Sequence, residues 1–414
     1  MVICNMQLMH EKKKSIILEK LISIYNKTRQ ESTSAIRIDM RDDEYIAILN
    51  QFLKEKGWRA MFTEKFIVEK INSVILKMIK DGTEDKAKDH LDEMIKELES
   101  FSTKQMTVYI PIHGIEKPIT KIQIGNITLR CLDDTEIEAL IEKVEKDSIE
   151  IEQINKHIRG HICAEYCAIA EPDRALELAE EETRRAIDLI RYANLVLYNQ
   201  TMRVAVGMSG DICSSWRYAV IHPMDTRSFS SRKTLIGPLY EFEFSDENIE
   251  TMEKIGVFKL SEVLQKDELN PFEVDLLSSV HWFANSQTKL ERADKLLNLI
   301  TSLEILFTPN SGDPISQNIA ESTAILIVDD PVERKKIIKI IRDLYALRSK
   351  LSHHGKGEVL DSHIQYLIKI NCIVLTILVS RITEFETKDE LHKWIEYKKL
   401  GGLPENWTQY CDSI

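Results

Sequence analysis

Four amphipathic, helix-length segments follow one another in the last third of this 414-residue chain, and only short breaks separate them. The breaks are rich in Gly, Pro, Asn and Asp, and they lie at residues 310–314, 329–331 and 355–357. The segments are a helix that ends at Phe307, a second from Ile315, a third from Val332 to about His354, and a fourth from Ser362 to Phe385. Because short connections favour antiparallel neighbours, we predict an up-and-down four-helix bundle over residues 269–386. The tail, residues 387–414, is expected to dock on a neighbouring surface.

The rest of the chain predicts a fold of mixed α and β class that is mostly helical. Residues 1–104 show the apolar spacings of three and four that are typical of helices. Residues 105–268 mix β-branched, alternating segments with helical ones, which indicates an α+β middle domain. Its strands are expected at residues 106–114, 119–132, around 158–170, 203–208 and 216–223, and its helices at 137–147 and 172–198.

Cysteine usage and hydropathy favour the cytoplasm. The seven cysteines are scattered and odd in number, which is unlike a disulfide framework. Residues 1–15 place apolar residues before a basic cluster, the reverse of a secretory signal. The most apolar stretch, residues 370–382, is shorter than the roughly 20 residues that a spanning helix needs. We therefore expect no membrane partner, and we expect this stretch to be the most buried helix of the bundle.

Charge excludes a protein that is basic overall, as many RNA-binding proteins are, because the formal net charge is -12. The third helix of the predicted bundle differs from this average, since basic residues outnumber acidic ones in and around it. The basic residues are Arg334, Lys335, Lys336, Lys339, Arg342, Arg348, Lys350 and Lys356, against Glu333, Asp343 and Glu358. Such a strip mildly supports RNA contact, with Lys350 and Lys356 as the candidate RNA-binding residues.

A helical wheel divides the third helix into two faces. The apolar stripe that we expect to face the core consists of Ile337, Ile340, Leu344, Leu347 and Leu351. The polar face is expected to carry Tyr345, Arg348, Ser349, Ser352 and His353. Arg348 and His353 are five residues apart, so they diverge by about 140° on a regular helix. A shared site then needs the Arg to lean inward, the helix to loosen before Gly355, or a two-fold partner to complete the site, which fits best.

An Arg and a His together suit metal-independent RNA cleavage, with no cofactor. A His exchanges protons near neutral pH, and an Arg holds a phosphate and stabilises the charge that grows in the transition state. We predict Arg348 and His353 as the catalytic pair. The candidate supporting residues are Ser349, Tyr345, His354 and Glu304. Glu304 either orients Arg348 or His353, or is a carboxylate at the rim of the bundle or the partner of one of its lysines.

Residues 284–385 resemble the Apea-like branch of the HEPN superfamily (higher eukaryotes and prokaryotes nucleotide-binding). The similarity lies in the leading helix ERADKLLNLITSLEILF, the second helix ISQNIAESTAILI, the segment ERKKIIKIIRDLYALRSKLSHHG and the hydrophobic closing helix. The Arg-x4-6-His pattern of that superfamily maps onto Arg348 and His353. His354 satisfies the looser spacing too, and it stands where close relatives have the Gly that follows the His.

The resemblance implies a dimeric endoribonuclease that acts in bacterial defence against phage or as a toxin. The region before the bundle would then sense a trigger or bind a regulatory partner. The alternative is a non-catalytic HEPN protein that dimerises, or binds RNA or nucleotide, without cleaving. In that case Arg348 and His353 belong to a solvated helix end, where His353, His354 and Lys356 favour the negative end of the helix dipole.

Other candidate motifs carry less weight. The spacing of His157, His161, Cys163 and Cys167 is not that of a standard zinc finger, and it favours small buried thiols in a strand. Residues 207–211 lack the ending of a phosphate-binding loop and predict a turn. Cys213 has no recognisable nucleophile motif around it.

Overall fold

The computed structural model describes residues 11–31, 38–54, 56–101, 105–117, 119, 121–143, 148–198, 206–208, 211, 215–221, 230–236, 240–308, 315–355 and 357–402. Helix accounts for 71% of the structure and strand for 9%, with a curled antiparallel sheet, so the predicted mixed, mostly helical class is confirmed. The chain forms two compact units. The first consists of Met1–Tyr109 and Glu165–Glu181, and the second of Ile110–Ala164 and Glu182–Ile414.

The first unit is built mainly from helices at the start of the chain. These are α1 (Glu11–Glu31), α2 (Asp43–Leu53), α3 (Lys56–Met61), α4 (Glu64–Asp81) and α5 (Ala87–Ser100). The ends of α4 show why the sequence folds this way. The Thr63 hydroxyl accepts a hydrogen bond from Phe66 N at 3.1 Å, and Gly82 ends the helix with φ at 72°, a conformation that glycine adopts without strain.

One buried carboxylate ties two parts of the first unit together. Glu171 is 2% exposed and accepts hydrogen bonds from Thr63 N at 3.2 Å and Thr63 Oγ1 at 2.8 Å. It also accepts from Asp173 N at 2.8 Å and Arg174 N at 3.1 Å, which are free N–H groups in the first turn of the helix that follows. The segment 165–181 is therefore joined to α4 by hydrogen bonds as well as by apolar packing.

The sheet contains five strands in the order β2-β3-β4-β1-β5. Their bounds are β1 (Gln105–His113), β2 (Ile122–Ile124), β3 (Ile127–Cys131), β4 (Ile162–Ile169) and β5 (Gly207–Met208). A separate antiparallel hairpin joins β6 (Ser215–Ile221) and β7 (Ser230–Ile236), with Ser215 opposite Ile236. The expected strands therefore form, although β5 is short and β7 was not anticipated.

The remaining elements are helices. They are α6 (Asp134–Ile141), α7 (Ile149–His157), α8 (Pro172–Tyr198), α9 (Asp246–Lys254), α10 (Val257–Leu264), α11 (Pro271–Asn285), α12 (Arg292–Phe307), α13 (Ile315–Ile327), α14 (Pro331–His354), α15 (Asp361–Ser380) and α16 (Lys388–Lys399). The four predicted helical segments of the last third correspond to α12 to α15. The helical part of the second unit begins earlier than residue 269, however, and α11 precedes them.

Helix α12 is the most central of the helices in the second unit. It contacts α11, α13, α14, α15 and α16. Its buried residues are Leu296, Asn298, Leu299, Ile300, Ser302, Leu303, Leu306 and Phe307. The predicted docking of the tail is observed as far as α16, which contacts α11, α12 and α13 and buries Leu391, Trp394 and Ile395. The segment around Trp407 lies outside the described residues.

Helix α15 contains the apolar stretch that was expected to be too short to cross a membrane. It spans 20 residues, and by length and composition alone it is one helix that could do so. In the structure it packs against α11, α12 and α13, and Asn371 is fully buried in it. The Asn371 amide donates to Leu299 O at 3.2 Å and Leu367 O at 2.8 Å, so the helix carries a polar link to α12. This is the packing of a core helix.

The inward side of α14 differs from the predicted apolar stripe. Ile341 is fully buried, and Ile337 and Leu344 are 9% and 4% exposed. Ile340, which was expected in the core, is 36% exposed. The true stripe therefore runs through residues 337, 341 and 344, the spacing of four and three that a straight helix requires.

Because the buried stripe runs through Ile341 and not Ile340, the expected position of Arg348 changes too. It lies seven residues after Ile341 and four after Leu344, so it continues the buried stripe and is half-buried. Leu347 and Leu351, which were expected in the core, are also only half-buried. The prediction that Arg348 lies opposite the core is wrong, because Arg348 is only about 40° from Leu344 on the helical wheel, on the same side as Ile341.

We predict that Ile341→Ala lowers the free energy of unfolding by about 2–5 kcal/mol, because it leaves a cavity in the core. Ile340→Ala is expected to change it by less than about 1 kcal/mol, because the side chain already meets solvent. Urea denaturation of the two variants measures both values. Equal losses would show that α14 is rotated from the position described above.

Candidate active site

Arg348 is held between two helices. It projects from α14 toward α12, where Arg348 Nη2 donates to Glu304 Oε2 at 3.1 Å. The Arg348 side chain is 27% exposed and that of Glu304 is 17% exposed. Glu304 is therefore the partner of Arg348, as the orienting role predicted for it requires. Within the part of the chain that the structure describes, no lysine pairs with Glu304.

Tyr345 lies beside this pair. The centre of the Arg348 guanidinium is 5.7 Å from the Tyr345 ring centroid, within the range of a cation–π contact. Burial, followed by the charge of Glu304, raises the pKa of Tyr345. The phenol is therefore neutral at physiological pH and keeps its proton to donate, which suits a residue that lines a site.

The Arg348 guanidinium has N–H groups left to donate to a second acceptor besides Glu304. Arg carries five N–H donors, and the contact with Glu304 uses one nitrogen. Arg348 Nε is buried, and within the described ranges it has no hydrogen-bond partner. A buried donor without an acceptor costs free energy, so an anion that reached this edge of the guanidinium would be favoured.

His353 is exposed, one residue before the end of α14. The helix remains α-helical through His354, and Gly355 then ends it with φ at 61° and its N–H bonded to Leu351 O at 3.0 Å. The helix therefore does not loosen before Gly355, and the angle of about 140° between Arg348 and His353 applies. One of the three arrangements that could form a shared site, an inward-leaning Arg348, is observed. The Arg348 side chain leans toward Glu304, however.

The other predicted residues of α14 are distributed around the helix. Ser349 is half-buried and Lys350 is exposed. The side chain of His354 and the whole of Lys356 lie outside the described residues. The structure thus brings together Arg348, Tyr345 and Glu304, whereas His353 lies on a different side of the helix.

The strand that suggested a zinc motif holds one buried thiol and one exposed thiol. Cys163 is fully buried, and burial raises its pKa to about 12. Cys167 is exposed, with its Sγ 3.6 Å from Thr107 Oγ1, so the expectation that both thiols are buried is wrong for Cys167. Among the described residues, no group of three or more His, Cys, Asp and Glu side chains is placed to hold a metal ion. Cys213 lies outside these residues.

Sequence reasoning missed a buried charged cluster between α8 and α11. His281 Nδ1 is 2.6 Å from Asp188 Oδ2, and Asp188 is 5% exposed. Arg191, 3% exposed, has Nη1 3.7 Å from Asp188 Oδ1 and Nη2 3.3 Å from Asp211 Oδ2. Arg191 Nε also donates to Val206 O at 2.7 Å. The cluster joins residues up to 93 positions apart in sequence.

One signal in the sequence pointed to this cluster. Asp188 and Arg191 are three residues apart on α8, amid the apolar residues of its last turns, and Ala186, Ile187, Leu189 and Ile190 around them are all buried. Charged residues are rarely buried unless they are paired, so this spacing indicates partners elsewhere in the fold. It does not indicate which residues those partners are.

The chain matches no protein-family model, no curated protein and no solved structure. Any functional conclusion therefore rests on the residues and on their geometry.

We predict that Arg348→Met lowers the free energy of unfolding by about 1–3 kcal/mol, because it leaves the mostly buried Glu304 carboxylate without its counter-charge. Glu304→Gln in the same chain should recover part of this loss, with a coupling energy of about 1 kcal/mol. Chemical denaturation of the two single variants and the double variant measures the coupling. Lys350→Met, on an exposed position of the same helix, is the control and should have almost no effect. Strictly additive losses would mean that the ion pair does not form in solution.

Proposed function

We propose that this protein is a metal-independent endoribonuclease of HEPN type, similar to the Apea-like branch, in which Arg348 and His353 carry out RNA cleavage. The observation that supports the proposal most is the position of Arg348. Glu304 and Tyr345 fix it on α14, five residues before an exposed His in the Arg-x4-His pattern. An effector of bacterial defence against phage or a toxin, acting in the cytoplasm, is the setting that the resemblance implies.

In this mechanism the ribose supplies the nucleophile. His353 removes the proton from a 2′-hydroxyl, or protonates the leaving oxygen, and Arg348 stabilises the charge that grows on the phosphate. The 2′-oxygen bonds to phosphorus while the bond from phosphorus to the 5′-oxygen breaks. The products are a 2′,3′-cyclic phosphate and a 5′-hydroxyl. In the proposed mechanism Tyr345 supports Arg348 through the cation–π contact rather than exchanging the proton, and Ser349 remains a candidate supporting residue.

A two-fold dimer overcomes the separation of the two residues on one helix. An isologous interface between two copies of α14 places the same surface against itself, so His353 of one protomer can approach Arg348 of its partner. Two copies of His353 could also serve as acid and base. His353 is exposed at the end of α14, on the surface that such an interface would cover.

The contact between Arg348 and Glu304 favours a second candidate function. A carboxylate on the guanidinium offsets its positive charge and weakens its attraction for phosphate. In that case the helices form a non-catalytic module that dimerises, or binds RNA or nucleotide, without cleaving. The two candidates differ in whether any RNA is cleaved.

We predict that the purified protein cleaves RNA in the presence of EDTA and leaves cyclic phosphate ends. His353→Ala should lose about a hundredfold or more in cleavage rate, because the proton-transfer contribution is that large, while its thermal midpoint stays near wild type. Gel analysis of end-labelled RNA beside thermal melting makes both measurements. His354→Ala is the matched control, and it should lose less activity than His353→Ala.

Three outcomes decide between the candidates. Cleavage that disappears in EDTA and returns with magnesium would contradict the mechanism. A His353→Ala variant as active as wild type would remove His353 from the site. Binding of RNA without cleavage by wild type would favour the non-catalytic alternative.

We also predict a two-fold dimer at micromolar concentration, because a site built on opposite sides of one helix needs a second copy to be complete. Light scattering coupled to size-exclusion chromatography measures the mass directly. Lys350→Glu on the exposed side of α14 would place new negative charges near each other at a two-fold axis, so it should shift the mass toward the monomer. A wild-type monomer would count against the shared site.

A further inference from the structure

The charged cluster between α8 and α11 reaches the surface at side chains that do not belong to the α14 site. The His281 side chain is 42% exposed, although its partner Asp188 is buried. Asp188 contacts the Nδ1 nitrogen of the ring, and within the described residues no hydrogen bond reaches Nε2. The imidazole is thus anchored through one nitrogen while the other is left for an external group.

The carboxylate that holds His281 also favours the protonated form of the ring. The hydrogen bond with Asp188 raises the pKa of His281, against the opposing effects of burial and of Arg191 and Arg184. Asp188 is almost fully buried, and its carboxylate contacts His281 and Arg191 rather than the surface. Asp211 neutralises Arg191 on the other side. The parts of the cluster that reach the surface are therefore the His281 ring and Asp211, and Asp211 is already paired with Arg191.

Arg184 adds a second cation to that of the protonated His281 ring. It lies one turn before Asp188 on the same face of α8, it is exposed, and its charge acts on both Asp188 and His281. Among the described residues Arg184 forms no ion pair, in contrast to its neighbour Arg185, which pairs with Glu182 at 2.9 Å. An exposed arginine without a carboxylate partner is available to a phosphate.

An aromatic side chain stands next to the cation. Trp282 is 37% exposed, and its ring centroid is 6.1 Å from that of His281 in an edge-to-face arrangement. Proteins that bind single-stranded nucleic acid combine cationic side chains, which follow the backbone, with exposed aromatic rings on which bases stack. Here Arg184 and His281 supply the cationic side chains, and Trp282 supplies the exposed ring.

We propose that Arg184, His281 and Trp282 form a binding site for single-stranded RNA outside the α14 site, in which each of the two cations binds its own backbone phosphate and Trp282 stacks on a neighbouring base. The proposal rests on the proposed function, since it gives the same RNA a second contact on the second unit. Asp188 is the positioning residue, because it fixes the ring and its charge without touching RNA.

Binding of a 2′-O-methyl RNA oligonucleotide to the full-length protein tests the site without cleavage, because the methyl group removes the nucleophile. Fluorescence anisotropy over a series of salt concentrations gives the affinity and its salt dependence. Arg184→Gln and His281→Gln should each lower the slope of log affinity against log salt by about 0.7, the value for one phosphate contact on a single strand. Trp282→Ala should weaken binding about fivefold or more. Lys254→Gln, which removes an exposed cation on α9, is the matched control and should leave the slope unchanged.

The pH dependence provides a second readout that a merely structural role would not produce. Wild-type affinity should fall as the pH rises through the raised pKa of His281, because phosphate binds the protonated ring. The groups that face this ring are Asp188, Arg184 and Arg191. Arg184 and Arg191 keep their charges over this range, so His281→Gln should remove the fall.

Arg184 is exposed and lies outside the buried cluster. Arg184→Gln therefore still tests the site if His281→Gln destabilises the fold. Salt slopes equal to wild type in Arg184→Gln would overturn the proposal, even if His281→Gln melted early. If wild type cleaves unmodified RNA and the variants bind like wild type, only this inference fails. If wild type neither binds nor cleaves RNA, the proposed function fails with it.

Discussion

Burial of α12 against five other helices is the packing on which the second unit depends. A helix that contacts neighbours on almost every side must be apolar around most of its circumference, and α12 has that composition from Leu296 to Phe307. Its few polar side chains therefore need partners. Ser302 exchanges hydrogen bonds with Ser279 on α11, and Glu304 receives Arg348 from α14. The choice of Arg348 as a partner follows from this need, because a carboxylate that is 17% exposed is costly without a cation.

If Arg348 acts as proposed, the ion pair gives it two roles that compete. As a structural residue it stabilises the packing of α12 on α14, and any phosphate that binds it must share the guanidinium with Glu304. The geometry permits sharing, because a guanidinium presents two edges and Glu304 occupies one nitrogen. A preorganised Arg also loses less side-chain entropy when it binds a phosphate. Glu304 therefore lowers the attraction for an anion and at the same time fixes the group that is proposed to bind it.

Sequence reasoning located most of the elements because local signals specify them. Breaks rich in Gly, Pro and Asp mark the ends of α12 to α15, and Pro172 marks the start of α8. The face of α14 that is buried was harder to predict from the sequence. Ile340 and Ile341 are adjacent and equally apolar, and only the neighbouring helices decide which one is buried. That choice moves the centre of the stripe toward Arg348, which is therefore partly buried instead of solvent-facing. The pair of Asp188 and His281 could not have been found locally, since its members lie on α8 and α11 and meet only in the folded chain.

Glu171 has a consequence for the order in which the chain can fold during synthesis. The first unit is discontinuous, because the chain leaves it after Tyr109 and returns to it at Glu165. The carboxylate that accepts from both the backbone and the hydroxyl of Thr63 arrives only with that returning segment. A nascent chain must therefore emerge from the ribosome well beyond its first hundred residues before the first unit can close. Until then the amide of Thr63 and the apolar face that receives Ile169 stay open to chaperones and proteases.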